Sequence, residues 1–472
     1  MVNLLKINRA VLYVFLPMLL LIFVGQASAN DYVNQQAIVK IGAAKSVQQA
    51  AAAVNGSIID SIPGQSIYLI SYPDSLSGSQ ALSELNNDTN VVTAQSNHLV
   101  AFTELSQVSQ SLPDQSDPPL LYGSSPPNYF GHPGYDLIEV DSAHKISTGE
   151  DVVVAIIDNG IDFDHPLFDG VFAGSGFDFV DNDTLPAEDS GSLFGHGTFV
   201  AGIVIRIAPD CKLLPLRAFD EDGWGNVFDI AEAVYYAIDA EAQVLNMSFG
   251  FTTDNLILNE AIDAAFDANI AMAAAAGNDS SEVATYPAKY KGVITVSSLD
   301  TLDVISDFSN YGDFIDICAP GEQIYSSLAG YHEWGTWSGT SFSAPMASGV
   351  CALLLYLEPA LDSDRIEELI QLTAEKELQW GTVVPDDFEY GHGRLSPISA
   401  VSEFNKGDVD CSGVIDNIDK FYLQEYLYEQ GPPPLPKPEV GDLDCSGDVD
   451  ITDYIILINY IENGGPKPTP CE

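Results

Sequence analysis

The chain has 472 residues, more than one hydrophobic core usually accommodates, so about two to four domains are expected. Apolar residues make up 46% and aromatic residues 10% of it, which excludes an intrinsically disordered chain. Its 68 acidic and 17 basic residues give a formal charge of −51, and such a chain is repelled by phosphate backbones, which argues against a nucleic-acid partner. Residues 406–472 hold only 14 acidic and 4 basic residues, so the acidic excess covers the whole chain and suits saline water or bound calcium.

The first residues have the pattern of an export signal. Lys6 and Arg9 precede an apolar run from Val11 to Val24, and Ala27-Ser28-Ala29 has the form of a signal-peptidase site. The apolar run is short for a membrane span. We therefore predict a signal peptide over residues 1–29 and a secreted product, free or attached to the cell surface, with no stable membrane span after removal of the signal. An uncleaved anchor is the alternative.

Residues 30–102 predict a small α+β unit. The expected elements are a strand, a helix, a strand, a helix and a strand, at Ala37–Ile41, Ser46–Val54, Ser66–Tyr72, Ser79–Leu85 and Val91–Ala94. Residues 106–133 are rich in Ser, Pro, Asp and Gly, so residues 103–134 are predicted to form a linker that includes a processing site.

Residues 135–404 alternate between strand and helix patterns. Val152–Ile157 is a continuous apolar run of the kind buried in a parallel sheet, and Ser341–Leu357 predicts a long apolar helix. The other predicted elements are Ile230–Ala240, Val244–Met247, Asn255–Ala268, Ile270–Ala275 and Val293–Val296. This alternation favours an α/β sandwich with a parallel sheet, in which sites form at the carboxyl ends of strands, where Asp158 lies.

Three short motifs supply an acid, an imidazole and a hydroxyl: Ile157-Asp158-Asn159-Gly160, Gly195-His196-Gly197-Thr198 and Gly339-Thr340-Ser341-Phe342-Ser343-Ala344-Pro345. A serine hydroxyl is a weak nucleophile at neutral pH and needs a base to take its proton. A histidine has an ordinary pKa that suits this role, and an aspartate can orient the imidazole. Taken alone, Ser341 or Thr340 would be interpreted as a helix N-cap, where serine is common, and Asp158 could also be a turn residue.

Together the three motifs, in the order Asp, His, Ser, resemble the active-site blocks of subtilisin-like serine proteases. The resemblance implies a subtilisin-like three-layer sandwich and a secreted serine endopeptidase that acts on proteins or peptides. It makes Ser341 the nucleophile, His196 the base and Asp158 the residue that orients it. Ala274-Ala275-Ala276-Gly277-Asn278 resembles the oxyanion segment of the family, with Asn278 as a donor. Residues 30–102 resemble the inhibitory propeptide of many such proteases, which implies a zymogen held by its own propeptide.

The same resemblance implies where a substrate peptide binds. Asn246-Met247-Ser248-Phe249-Gly250 resembles the strand of the family that pairs with the peptide. Thr285 falls where the family shapes the floor of the pocket for the residue before the cleaved bond, which predicts a shallow pocket for medium apolar side chains. The predicted substrate-binding residues are Ser248, Phe249, Gly250, Ala276, Gly277 and Thr285.

The C-terminal region contains an internal repeat. Gly407-Asp408-Val409-Asp410-Cys411-Ser412-Gly413 recurs 34 residues later as Gly441-Asp442-Leu443-Asp444-Cys445-Ser446-Gly447. Oxygen-bearing residues follow the spacing of a 12-residue calcium loop, in which the residue at position 7 offers its backbone carbonyl. The predicted Ca²⁺ ligands are Asp408, Asp410, Ser412, Val414, Asp416 and Asp419 in the first loop, and Asp442, Asp444, Ser446, Asp448, Asp450 and Asp453 in the second. Acidic turns without metal are the alternative.

Each loop runs into one helical stretch, Lys420–Tyr428 or Tyr454–Glu462, and has aspartate at position 12. Residues 405–472 therefore resemble a type I dockerin, a small α-helical calcium module. The resemblance implies a cohesin-like protein partner, and a structural or surface-attachment tail is the equal alternative. Cys351, on an apolar helix, is predicted to be a buried free thiol, whereas the pairing among Cys411, Cys445 and Cys471 stays open.

Two other classes of function compete with the protease. A catalytically silent subtilisin-fold binding or assembly protein with a dockerin tail is disfavoured because Asp158, His196, Asn278 and Ser341 are all intact. An esterase-type hydrolase would be expected to carry a Gly-x-Ser-x-Gly elbow and the order Ser, Asp, His, and Ser341 has neither.

Overall fold

The computed structural model describes residues 32–102, 127–330, 333–376, 378, 389–429 and 431–469. The predicted signal peptide 1–29, most of the predicted linker 103–134, and Cys471 lie outside these residues.

The N-terminal unit is an antiparallel sheet with two helices on one face. Its elements are β1 (Tyr32–Ile41), α1 (Val47–Ala53), β2 (Ser57–Ile62), β3 (Ile67–Ser71), α2 (Gly78–Asn87) and β4 (Val91–Ala101). Side chains alternate along β1: Ala37 and Val39 pack with the two helices, whereas Ile38 packs with the central domain. Ser77 begins α2 with a capping box that includes Gln80. The sheet therefore joins two hydrophobic cores.

The central domain is built on a seven-stranded sheet whose pairs are all parallel, in the order β12-β11-β10-β9-β5-β7-β6. In chain order its elements are α3 (Pro127–Phe130), α4 (Pro133–Leu137), α5 (Val140–Ala143), β5 (Val153–Asp158), β6 (Phe177–Asp178), α6 (His196–Ile207), β7 (Lys212–Arg217), β8 (Trp224–Asn226), α7 (Val227–Asp239), β9 (Val244–Met247), α8 (Leu256–Asp267), β10 (Ala271–Ala275), β11 (Val293–Leu299), β12 (Ile317–Pro320), β13 (Ile324–Ser327), β14 (Trp334–Trp337), α9 (Thr340–Leu357), α10 (Ser363–Thr373) and α11 (Pro397–Ser402).

Helices cover both faces of this sheet. Val154 and Ile156 of β5 pack with α6 and α9, and Ala155 and Ile157 pack with α7 and α8 on the other face. The run is continuously apolar because both faces of the strand are buried. The layers are thus helix, sheet and helix. Among the described residues, α9 is the one helix long and apolar enough to cross a membrane, but 89% of its apolar window is buried inside this domain.

The C-terminal unit contains two loops, each followed by a helix. The helices are α12 (Asn417–Glu429) and α13 (Ile451–Asn463). Val409 and Leu443, one from each loop, pack with Leu423 and Leu457 from the two helices in a small core. The two copies of the internal repeat therefore contribute equivalent residues to one small hydrophobic core.

Candidate active site

An aspartate and a histidine from distant parts of the chain form a buried pair. Asp158 ends β5 and His196 is the first residue of α6. His196 Nδ1 lies 2.8 Å from Asp158 Oδ1, and the two side chains are 0% and 1% exposed. The backbone N–H of Asn159 also donates to Asp158 Oδ1, at 2.8 Å. A carboxylate in this position selects the imidazole tautomer with its proton on Nδ1 and leaves Nε2 as the basic nitrogen.

Ser341 lies in the first turn of α9, beside this pair. Phe342, the next residue, has its ring 5.5 Å from the ring of His196, between centroids. Ser341 Oγ donates to the carbonyl of Ser248 at 2.8 Å, and Ser248 Oγ donates to the carbonyl of Ser341 at the same distance. These reciprocal bonds tie the start of α9 to the chain that follows β9.

The amide of Asn278 is oriented by Thr340. Asn278 Oδ1 accepts hydrogen bonds from the backbone N–H and from the hydroxyl of Thr340, both at 2.9 Å. The Thr340 hydroxyl also accepts from the backbone N–H of Gly277 at 3.1 Å. Because the oxygen of the amide is engaged in this way, its NH₂ group is the end that can donate to a further acceptor. Thr340 lies inside the serine motif, but no local sequence pattern indicates that it orients Asn278.

A strand of the N-terminal unit reaches this site. Strand β4 pairs antiparallel with β8 of the central domain, with Val100 opposite Gly225. Phe102 N–H then donates to the carbonyl of Gly223 at 3.1 Å. The Phe102 ring lies 4.4 Å from the His196 ring, between centroids. The N-terminal unit therefore covers the histidine, a contact that no local sequence pattern predicts.

The sequence of residues 149–393, more than half of the chain, matches the Subtilase family, and residues 23–97 match the Fervidolysin N-terminal prodomain. The chain belongs to the subtilase family. The predicted three-layer fold, the enzyme class of subtilisin-like serine endopeptidase and the presence of an N-terminal prodomain are thereby confirmed.

Relatives of this subtilase include a thermophilic serine proteinase and thermitase. It is 37% identical over 268 residues to the thermophilic serine proteinase of Bacillus sp. (strain AK1), which covers 55% of this chain and 63%, less than two thirds, of that protein. It is 34% identical over 278 residues to thermitase of Thermoactinomyces vulgaris, with 57% of this chain and 95% of that protein covered. The crystal structure of fervidolysin from Fervidobacterium pennivorans, a keratinolytic enzyme related to subtilisin, is similar with a TM-score of 0.67 at 23% identity, over 79% of this chain and 61% of that one, which supports the fold.

The six predicted substrate-binding residues of the subtilase lie at the carboxyl ends of neighbouring strands. Ser248, Phe249 and Gly250 follow β9, and Ala276 and Gly277 follow β10. The hydroxyl of Thr285 donates to the carbonyl of Ala276 at 3.0 Å. A Cβ atom on Gly250 would lie 3.1 Å from the Thr285 side chain, and one on Gly277 would lie 3.0 Å from it. The side chain of Phe249 packs in the hydrophobic core beneath, with its ring 4.9 Å from that of Phe219, and Ser248, Ala276 and Thr285 are also buried.

The acidic loops of the subtilase each gather three carboxylates at one point. Ligand atoms of Asp408, Asp410 and Asp419 lie within 4.8 Å of one another, as do those of the equivalent Asp442, Asp444 and Asp453. Burial raises the pKa of Asp408, and it raises that of Asp419 to about 6. Clustered, partly buried carboxylates are unfavourable without a cation, and hard oxygen ligands suit Ca²⁺. The residues therefore fit the predicted ion.

The remaining predicted ligands occupy matching places in the two loops. Ser412 Oγ donates to the Val414 carbonyl, and Ser446 Oγ donates to the Asp448 carbonyl, each at 3.2 Å. Asp416 and Asp450 each accept the backbone N–H two residues further on, at 2.6 Å.

Four described cysteines of this subtilase are free thiols. They are Cys211, Cys318, Cys351 and Cys411, and the first three are buried. The prediction for Cys351 is thus confirmed. Cys445, in contrast, is disulfide-bonded.

Proposed function

We propose that this subtilase hydrolyses peptide bonds in protein substrates through an acyl-enzyme on Ser341. In the first step His196 Nε2 takes the hydroxyl proton as Ser341 Oγ attacks the substrate carbonyl carbon. The carbon–nitrogen bond then breaks, and the imidazolium returns the proton to the leaving amine. A water molecule, deprotonated by His196, then attacks the carbonyl carbon of the acyl-enzyme and releases the carboxylic acid product. Asp158 holds the imidazole and stabilises its charged form.

Negative charge develops on the carbonyl oxygen in both steps. The amide NH₂ of Asn278 and the backbone N–H of Ser341 are the donors proposed to hold it. Thr340 supports this role, because it engages the amide oxygen of Asn278 at 2.9 Å and so commits the amide to one orientation. Preorganised donors are effective here because they need no rearrangement when the charge appears.

The observation that carries this proposal is the 2.8 Å contact between His196 Nδ1 and Asp158 Oδ1 in a buried setting. A catalytically silent protein would not require a buried pair of Asp158 and His196 beside Phe342, the residue after Ser341. Polar side chains buried only for structure usually bond to the backbone instead.

The prodomain inhibits the enzyme by occupying the path that a substrate takes. Its strand β4 already pairs with β8, and Phe102 covers the imidazole. A substrate peptide is proposed to pair with Ser248, Phe249 and Gly250 and to replace β4 at the edge of β8 after the prodomain leaves. Such main-chain pairing demands little of the substrate sequence. Thr285 lies beside Gly250 and Gly277. It is proposed to form the floor of a shallow pocket that accepts medium apolar side chains.

The two C-terminal loops are proposed to bind one Ca²⁺ each and to be stabilised by it. When bound, the ion neutralises carboxylates that repel one another. Asp419 and Asp453, both 0% exposed, are the ligands at position 12. The dockerin-like character of this module, and its attachment to a cohesin-like partner or to the cell surface, remain predictions. Secretion is supported by the export pattern of residues 1–29 and by the disulfide at Cys445.

The proposal is tested by following hydrolysis of an unfolded protein by the processed enzyme and by its S341A variant. The wild type is expected to cleave and the variant to lose activity by a factor of at least about 10⁴. Equal activity would exclude Ser341 as nucleophile. No cleavage by correctly processed wild type would favour the silent binding protein.

A further inference from the structure

The helix that carries His196 begins without a capping side chain of its own. Gly195 is the N-cap residue, with φ of 99°, and it has no side chain to accept a bond from the first turn. The first N–H groups of a helix have no partners within the helix and need acceptors from elsewhere. Whatever supplies these acceptors fixes the backbone of His196.

Glu188 supplies acceptors on both sides of His196. Its Oε2 accepts the N–H of Gly195, and its Oε1 accepts the N–H of Thr198 at 2.6 Å. The N–H of His196 itself donates to the carbonyl of Leu193 at 3.1 Å. Burial raises the pKa of Glu188 to about 8, which is consistent with a carboxyl group withdrawn from water to reach this turn.

The other side-chain acceptor of this turn comes from the residue next to Asp158. Asn159 Oδ1 accepts the N–H of Gly197 at 2.9 Å. Residues on either side of the imidazole are therefore bonded to two side chains, Glu188 and Asn159. Asp158 holds the imidazole ring, whereas Glu188 holds the backbone from which the ring projects.

We propose that Glu188 is a positioning residue for the reaction: it sets the start of α6 so that the His196 imidazole lies in line with both Asp158 and Ser341. This inference rests on the proposed role of His196 as base. Small displacements of reacting groups lower rates strongly, so a looser first turn affects turnover more than substrate affinity.

The test is the variant E188Q, produced as the full-length precursor and assayed after the prodomain has been cleaved and removed. Glutamine has nearly the same size, but its NH₂ group cannot accept the N–H that one glutamate oxygen accepts. We expect kcat for a peptide substrate to fall about 30-fold with KM changed less than about twofold. The rate constant for labelling by a fluorophosphonate should fall by a similar factor.

The matched control is D362N. Asp362 caps α10 by accepting the N–H of Arg365 at 2.8 Å, and α10 carries none of the four proposed catalytic residues. The same change from carboxylate to amide should leave kcat unaltered there. A wild-type kcat in E188Q, or an equal loss in both variants, would overturn the proposal.

A second measurement does not depend on processing or activity. In precursors that carry S341A, the low-field NMR signal of the His196 Nδ1 proton should shift or broaden when E188Q is added. An unchanged signal would overturn the positioning role. Failure of the proposed function is distinguishable, because it would show as wild-type protein that fails to label with the fluorophosphonate.

Discussion

Replacing Phe102 by alanine is expected to raise the dissociation constant of the complex between prodomain and enzyme by about 30-fold. The Phe102 ring lies 4.4 Å from the His196 ring and 4.4 Å from the Phe219 ring. Aromatic pairs at such distances contribute roughly 0.5–1.5 kcal/mol each, so the loss of both costs about 2 kcal/mol. A factor of ten in dissociation constant corresponds to about 1.4 kcal/mol. Alanine keeps the backbone bond to Gly223, so the strand pairing itself should persist.

The assay is recovery of activity after the cleaved complex of prodomain and enzyme is diluted. The F102A complex should regain activity about 30-fold faster than wild type, because most changes in affinity appear in the dissociation rate. The control is V92A, which alters the same strand β4 at a side chain that is 63% exposed. If F102A and wild type recover at the same rate, Phe102 does not contribute to inhibition.

Three further predictions concern the prodomain, the oxyanion donors and the acidic loops. Burial raises the pKa of Asp229, and repulsion from the prodomain residue Asp60 raises it further, to about 7. Departure of the prodomain therefore lowers this pKa and releases a proton. Dissociation should thus become faster from about pH 6 to 8. The variant D60N removes the smaller of these two causes and should weaken the pH dependence in the recovery assay, and an unchanged pH profile would contradict the reasoning. The variant T340V removes one hydrogen bond to Asn278, which contributes about 1 kcal/mol. In peptide kinetics kcat should therefore fall about fivefold at constant KM. An unaltered kcat would exclude the orienting role of Thr340. Chelation of calcium should lower the unfolding temperature measured by calorimetry, and the variant D419N should reduce this decrease. Equal unfolding temperatures with and without calcium would argue against a bound ion.

Much of the fold follows from local patterns in the sequence. The continuous apolar run that ends at Asp158 predicts β5, because a strand covered on both faces has no polar alternation. No local pattern predicts strand β2, because most of Ser57–Ile62 is not buried and its apolar residues show no clear period. The sequence pattern predicts a strand that ends at Ala94, whereas β4 continues to Ala101. Its last residues pair with β8, and a contact between distant segments leaves no local signal.

In the candidate active site, too, some residues are predicted by local patterns and others are not. Asp158, His196 and Ser341 were named from motifs, whereas the residues that position them were not. Glu188 lies eight positions before His196 in an irregular segment, and only folding shows that its carboxylate faces the first turn of α6. Phe102 is likewise an ordinary aromatic residue until the prodomain docks. Local sequence indicates reactive groups more readily than the groups that support them.

The most direct test of the account is the site at which a fluorophosphonate attaches to the processed enzyme, mapped by tandem mass spectrometry. An activated serine reacts with this probe, while ordinary hydroxyl groups do not. The account predicts one adduct on Ser341 and its loss in H196A. A probe that leaves Ser341 unmodified, or that reacts equally well without His196, would contradict it.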